Sequence, residues 1–259
     1  MSNKASNITV ILPVHKLDKV TETTLTYAIK SVTDQVVRPN LLIVASSETF
    51  KQVSEIANEV EDCTVIENKG ETDFASQIDF GVANITTKWF SVLEYDDEYS
   101  NIWFKNVIKY QEAYPEVELF LPIVVDVNDK SEFLSFTNEA VWASSFSDEL
   151  GMLDNSSLLT YQNFNIDGMV MSKEIYEANG GFKKNIKLTF IYEFLLRMTF
   201  KDVKTMVIPK FGYKHINQRE GSLFHSYKDE MDPTESNWWL AQAKKEYYFE
   251  KDRVITYQN

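Results

Sequence analysis

The sequence predicts an α/β fold in which a mostly parallel central sheet is flanked by helices. Four short apolar runs in the first 93 residues alternate with three segments of helical periodicity, a pattern typical of βαβ units. Polar residues directly follow three of those runs, as expected where ligands bind at the carboxyl edge of a Rossmann-like sheet. With 259 residues and 44% hydrophobic content, we expect one α/β domain over 1–225 and a C-terminal helical extension over 226–259.

The first βα unit is predicted over residues 8–32. Residues 8–14 (ITVILPV) are apolar and β-branched, which favours a buried strand. In the next segment, 21–32, four apolar residues share one helical face and either Thr21 or Thr23 is positioned to cap the helix.

The same alternation continues up to an acidic cluster. Pro39 interrupts the chain before a second strand at 41–45. The further elements are a helix at 50–60, a strand at 63–66, a helix at 75–83 and a strand at 89–93. The last strand leads directly into five residues of which four are acidic, Glu94–Glu98.

The remaining chain follows a less regular pattern. Residues 130–163 show no clear period and receive no assignment. An Asp-Pro-Thr-Glu capping box opens a last helix at 233–249. The other predicted elements are a helix at 102–114, a strand at 119–127, a strand at 166–171, a helix at 173–179, a helix at 191–200 and a strand at 205–208.

Charge and composition exclude several classes of function. A formal net charge of −13 disfavours binding to nucleic acid or anionic membranes. The single cysteine, Cys63, precludes a disulfide within the chain. We expect no signal peptide in the polar residues 1–7 and no membrane span, because no apolar run reaches 18 residues. These observations predict a cytoplasmic protein.

The acidic cluster is the strongest chemical signal. Carboxylate oxygens are the ligands that Mg²⁺ and Mn²⁺ prefer. Glu94 and Asp96 are two residues apart, so their side chains face the same way in an extended chain. A cation held there would stabilise a diphosphate leaving group. The alternative interpretation is a solvated acidic turn that caps the following helix.

Five segments, taken in order, resemble the family-two inverting glycosyltransferases of GT-A fold over residues 7–225. ITVILPVHK resembles the opening strand and donor loop of that family. NKGETDFASQIDFGVANITTKWFSVLEYDD resembles the stretch that ends in its DxD motif. The other three segments are SVTDQVVRPNLLIVASS, GGFKKNIKLTFIYEFLLRM and YKHINQREGS. The resemblance implies a nucleotide-sugar donor, and a UDP-sugar in particular, together with Mn²⁺ or Mg²⁺.

The resemblance also assigns roles to individual residues. Glu94 aligns with the first aspartate of the DxD motif, which contacts the ribose or the metal, and Asp96 aligns with the second, the main metal ligand. Asp97 aligns with a further acidic residue, and His215 with a histidine that completes the metal or diphosphate site. Arg219 and Ser222 are further candidates for phosphate contacts. The remaining implied donor contacts are Pro13, Val14, His15, Ser46 and Asp73.

The sequence departs from the family at its nucleotide-binding aspartates and at its catalytic base. Ala45 and Ser46 stand where nucleotide-binding aspartates are usual. Ile191 stands where the catalytic base is usual, and isoleucine cannot accept a proton. Glu193 is the best available substitute, with Asp97 and Asp167 as other carboxylates that can approach. Alternatively, Glu193 pairs with Arg197, one helical turn later.

We therefore predict a metal-dependent glycosyltransferase that transfers a sugar, with inversion, to a glycan or another hydroxyl acceptor. Trp142, Trp238 and Trp239 are candidates for lining the acceptor groove, with core packing as the alternative. A second hypothesis is a binding or structural module that kept the fold and lost the chemistry. A nucleotidyltransferase is disfavoured because PVHK, at 13–16, contains no glycine.

Overall fold

The computed structural model describes residues 4–58, 60–139, 151–160, 163–217 and 231–256. Its strands are β1 (Lys4–Val14), β2 (Arg38–Ser46), β3 (Cys63–Asn68), β4 (Trp89–Val92), β5 (Glu98–Tyr99), β6 (Leu119–Val127), β7 (Phe133–Thr137), β8 (Met152–Leu153), β9 (Val170–Ser172) and β10 (Thr205–Ile216). Its helices are α1 (Lys19–Thr33), α2 (Phe50–Ala57), α3 (Phe74–Asn84), α4 (Trp103–Ala113), α5 (Asn155–Thr160), α6 (Lys173–Ala178), α7 (Phe190–Phe200) and α8 (Pro233–Thr256).

The described strands form one sheet with the order β3-β2-β1-β4-β9-β6-β10-β5, and β7 and β8 pair with β6 and β10. β1 to β4 are mutually parallel. β9 is antiparallel to both β4 and β6, and β10 is parallel to β6. Six of the ten described strands therefore run in one direction, and the predicted α/β fold with a central sheet flanked by helices is confirmed.

The first half of the chain follows the sequence pattern closely. Strands and helices alternate as predicted, with boundaries displaced by a few residues. The predicted cap of α1 was wrong. Asp18 caps this helix by accepting from the backbone N–H groups of Val20 and Thr21, both at 3.0 Å, while the Thr21 hydroxyl completes the capping box.

The second half differs more from the prediction. The strand expected at 166–171 is only Val170–Ser172, because a turn closed by the 2.9 Å hydrogen bond from Met169 N–H to the Ile166 carbonyl precedes it. The strand expected at 205–208 continues through two register shifts to Ile216. Within 130–163, which received no assignment, the described residues form β7, β8 and α5.

Both faces of the sheet are buried, which explains the unbroken apolar runs of its central strands. Along β1, Ile11 points into one hydrophobic cluster with α3 and α7, while Val10 and Leu12 point into a second cluster with α1 and α4. Each fully buried aliphatic side chain contributes about 1.5–3 kcal/mol relative to an exposed one. α8 packs on α7 and buries Ala243 in the first cluster. Among the described helices, none combines the length and the apolar character that crossing a bilayer would require.

Candidate functional site

The acidic cluster lies in a turn at the carboxyl end of β4. The backbone N–H of Asp97 donates to the carbonyl of Glu94 at 3.2 Å, which reverses the chain. β5 then pairs antiparallel with β10, placing Glu98 opposite Lys214. Because His215 follows Lys214 on β10, this pairing brings the histidine to the acidic turn.

Asp97 and His215 form the centre of the site. The Asp97 carboxylate is 1% exposed, with Oδ2 at 3.0 Å from Nδ1 of His215 and Oδ1 accepting from the backbone N–H of Ile216 at 2.8 Å. Ligand atoms of Glu94, Asp97 and His215 lie within 4.8 Å of one another. These three residues, which we call the cation cluster, offer two carboxylates and one imidazole to a common ligand.

Glu94 and Asp96 occupy different places in the turn. The backbone N–H of Glu94 donates to the hydroxyl of Tyr213 at 3.1 Å, and Tyr213 itself is 2% exposed. Asp96, which the sequence analysis assigned as the main metal ligand, is 8% exposed. It does not belong to the cation cluster as the described residues define it.

Two further buried carboxylates surround the histidine. Oδ2 of Asp167 lies 3.8 Å from Nδ1 of His215. Asp126 is the register partner of His215 on β6, and its Oδ2 accepts from the hydroxyls of Ser135 and Thr137, both at 2.8 Å. Neither Asp126 nor Tyr213 was predicted from the sequence. An aspartate inside the apolar run LFLPIVVDV is the signal that would have identified Asp126.

Burial and mutual repulsion dominate the electrostatics of the site. Burial raises the pKa of Glu94 well above its usual range, and the charges of Asp97, Asp167 and Asp96 add to that increase. Burial likewise raises the pKa of Asp167 to about 7, although His215 opposes the shift. For His215, burial lowers the pKa, but the carboxylates of Asp97 and Asp167 outweigh it and raise the pKa well above its usual range.

These pKa shifts predict that the cation-free protein loses stability as the pH rises. A pKa of Asp167 raised from 3.8 to about 7 contributes stability that is complete below pH 3.8 and is lost as the pH rises through about 7. The raised pKa values of Glu94 and His215 act in the same direction. Urea unfolding in EDTA at pH 5 and pH 8 measures the difference.

Asp167→Asn is the matched variant for this prediction, because asparagine cannot ionise. We expect it to recover about 3 kcal/mol more stability at pH 8 than at pH 5, because about two of the pH units between 3.8 and about 7 lie above pH 5. An equal effect of Asp167→Asn at both pH values would contradict the prediction.

Residues 13–16, which comprise the last two residues of β1 and the start of the loop after it, lie beside the end of β2. Pro13 and Val14 are buried, and the partly exposed ring of His15 lies 5.5 Å from the ring of Tyr95, centroid to centroid. The hydroxyl of Ser46 donates to the carbonyl of His15 at 3.2 Å, and that of Thr49 donates to the carbonyl of Val14 at 2.9 Å. Ser46 is 4% exposed, and its hydroxyl therefore holds the loop in place.

Asp73 has a structural contact of its own. It is the N-cap of α3 and accepts from the backbone N–H of Ser76 at 3.0 Å.

Trp238 is 52% exposed, whereas Trp239 packs against the first hydrophobic cluster. The other sequence-level candidates, Trp142, Arg219 and Ser222, lie outside the described residues.

The alternative interpretation of Glu193 is confirmed by the structure. Glu193 is 0% exposed, and its Oε1 lies 2.9 Å from Nε of Arg197 and 3.4 Å from Nζ of Lys183. Ile191, two residues earlier on α7, packs against the first hydrophobic cluster. The first turn of α7 thus carries an aliphatic side chain where the family resemblance implies a base.

The GT-A fold of the chain is shared with solved structures of S. aureus TarS. The structure of TarS 1–349 in complex with UDP-GlcNAc aligns with a TM-score of 0.65 at 13% identity, covering 85% of this chain and 61% of that one. The UDP complex gives 0.63 at 12% identity, covering 81% and 60%. This chain therefore spans about 60% of the length of those TarS chains.

Sequence comparisons give a family-level match. A search of curated protein sequences found no match. The sequence pattern of the family described as "Glycosyl transferase family 2" matches residues 9–176, which is more than half of the chain. The chain therefore belongs to glycosyl transferase family 2.

Proposed function

We propose that this chain is a metal-dependent glycosyltransferase that takes a sugar from a UDP-sugar and transfers it, with inversion, to a glycan or another hydroxyl acceptor. The observation that carries the proposal is the cation cluster of Glu94, Asp97 and His215, at the carboxyl edge of the sheet where α/β folds bind ligands. The donor loop at 13–16 begins at the end of β1, the strand beside β4, at the same edge. The TarS structures that contain UDP or UDP-GlcNAc support the choice of donor.

The cation cluster fits Mn²⁺ or Mg²⁺. Asp97 is buried and Glu94 is partly buried, and both lie among like charges. Desolvation and these charges raise the pKa of Glu94, which makes a cation a favourable neighbour. Its imidazole nitrogen favours Mn²⁺ over Mg²⁺. When bound, the cation would neutralise charge on the diphosphate leaving group. Asp96, buried in the same turn, remains a proposed further ligand.

The chain's own residues would bind and orient the donor. Pro13, Val14 and His15 would contact the nucleotide, with Ser46 acting through the carbonyl of His15. Asp73 would contribute to donor binding by capping the N-terminus of α3. Of the two proposed catalytic carboxylates, Asp97 lies in the cation cluster, while Glu193 is engaged by Arg197.

A second candidate function is a donor-binding module that does not catalyse transfer. Ile191 supports it, because an inverting transfer requires a base beside the acceptor hydroxyl and the first turn of α7 supplies an aliphatic side chain there. We further propose that residues 1–225 form the transferase domain and 226–259 an extension. The cytoplasmic location and the lack of a nucleic-acid partner stay predictions.

Thermal unfolding with nucleotides tests the proposal. A ligand at about 100 times its Kd stabilises the native state by about 2.7 kcal/mol, which for a chain of this size raises Tm by about 5–10 °C. We expect this increase in Tm with UDP or UDP-GlcNAc in the presence of Mn²⁺. The increase should be much smaller when GDP or ADP replaces the uridine nucleotide, or when EDTA replaces Mn²⁺. An unchanged Tm under every condition would refute donor binding.

Measuring UDP release separates the two candidate functions. Incubation with UDP-GlcNAc and Mn²⁺ should release UDP if the chain is a transferase, because water can take the place of the acceptor hydroxyl when no acceptor is added. A large increase in Tm without UDP release would favour the non-catalytic module. In that case the fold and the donor site would remain as described, and only the chemistry would be missing.

A further inference from the structure

Both carboxylate oxygens of Asp97 already accept hydrogen bonds within the protein. Oδ1 accepts from the backbone N–H of Ile216 at 2.8 Å, and Oδ2 faces Nδ1 of His215 at 3.0 Å. The side chain is 1% exposed, so this arrangement is fixed by the pairing of β5 with β10. Asp97 therefore has a firmly determined partner before any cation binds.

The orientation of His215 follows from these contacts. Its Nδ1 edge is enclosed by Asp97 at 3.0 Å and by Asp167 at 3.8 Å. A carboxylate accepts hydrogen bonds only, so the neutral ring carries its hydrogen on Nδ1. Its second nitrogen, Nε2, is then unprotonated and carries its lone pair on the other side of the ring. The His215 side chain is partly exposed, while its Nδ1 edge is covered by the two carboxylates.

We infer that Asp97 is a positioning residue, which fixes the Nδ1–H form of His215 and thereby presents Nε2 to the cation of the donor complex. The inference rests on the proposed function and revises one part of it, since Asp97 would orient His215 within the cation cluster instead of binding the cation or acting as the catalytic base. Carboxylates that orient a ligating histidine in this way raise its basicity and its affinity for metal. The competing assignment makes Asp97 itself a direct metal ligand.

Asp97→Asn distinguishes the two assignments by chemistry rather than by size. The asparagine oxygen can still accept from the N–H of Ile216. Its amide nitrogen then faces Nδ1 of His215 as a donor, so the neutral ring would move its hydrogen to Nε2. A positioning role predicts that this change lowers the affinity for Mn²⁺ about 10–100-fold.

A double-mutant cycle on Mn²⁺ affinity tests the inference. Mn²⁺ binding is measured by electron paramagnetic resonance, without nucleotide and with saturating UDP, for the wild type, Asp97→Asn, His215→Ala and the double variant. If Asp97 acts through His215, Asp97→Asn should have no further effect once His215 is alanine. The same loss of affinity in both backgrounds would make Asp97 a direct ligand and overturn the inference.

Asp126→Asn is the matched control for the loss of a buried negative charge. Asp126 lies beside His215 on β6, but its hydrogen-bond partners are the hydroxyls of Ser135 and Thr137. We expect a much smaller effect on Mn²⁺ affinity than for Asp97→Asn. Equal effects of the two substitutions would indicate a general charge effect and would also overturn the inference.

If the wild type does not bind Mn²⁺, the metal dependence of the proposed function is refuted. The inference about Asp97 and His215 can then still be tested by a measurement that needs no metal. Long-range ¹H–¹⁵N spectra distinguish the two neutral ring forms, and the chain has only three histidines. Above the titration midpoint of the ring, we expect His215 to carry its hydrogen on Nδ1 in the wild type and on Nε2 in Asp97→Asn. The same ring form in both proteins would overturn the inference.

Discussion

Replacing Ile191 with aspartate is expected to raise the rate of sugar transfer or donor hydrolysis about 10²–10⁴-fold, the usual contribution of a positioned general base. Ile191 lies in the first turn of α7, where a carboxylate is also favoured by the helix dipole. It is only partly buried, so the aspartate retains contact with solvent. UDP release from UDP-GlcNAc in the presence of Mn²⁺ measures the gain.

Ile191→Asn is the matched control, since asparagine has the shape of aspartate but cannot accept the proton. Both variants should have the same Tm within about 2 °C, which excludes a difference in folding as the cause. An increase in rate for both would mean that a smaller or more polar side chain opens the acceptor site. No increase for either would place the base elsewhere or favour the donor-binding module.

Local patterns were sufficient to predict much of the fold. β1, β2 and β4 are buried along most of their length, and a run such as ITVILPV has few alternatives to a buried parallel strand. The bounds and the antiparallel direction of β9 could not be predicted in this way, because three residues inserted between β4 and β6 leave no period in the sequence. β5 was missed for the same reason, since two residues within an acidic cluster resemble a turn.

The site was predictable where its residues are close in sequence. The acidic turn after β4 and the pairing of Glu193 with Arg197 both follow from short spacings. The contact between Asp97 and His215 spans 118 positions and depends on the pairing of β5 with β10, so only the family resemblance suggested it. Ser46 was predicted to contact the donor, and only the three-dimensional arrangement reveals its hydrogen bond to the carbonyl of His15.

Replacing Arg197 with alanine is expected to produce the largest loss of stability among the substitutions considered. The Arg197 guanidinium neutralises Glu193, which is 0% exposed, and donates to the carbonyls of Asn179 and, at 2.7 Å, Gly181. Alanine leaves a buried carboxylate without its guanidinium partner, although Lys183 lies nearby, together with two carbonyls that lose a charged donor. Breaking a buried pair of this kind costs about 3–5 kcal/mol, which corresponds to a decrease in Tm of about 10 °C.

Two further variants identify the cause of that loss. Lys201→Ala removes an exposed cation just beyond the end of α7 and should change the free energy of unfolding by less than about 0.5 kcal/mol. Adding Glu193→Gln to Arg197→Ala should recover part of the stability, because no uncompensated buried charge remains. A loss below about 1 kcal/mol for Arg197→Ala would show that Lys183 alone compensates Glu193. The Glu193–Arg197 pair would then contribute little to stability, and this result would support Glu193 as the catalytic base.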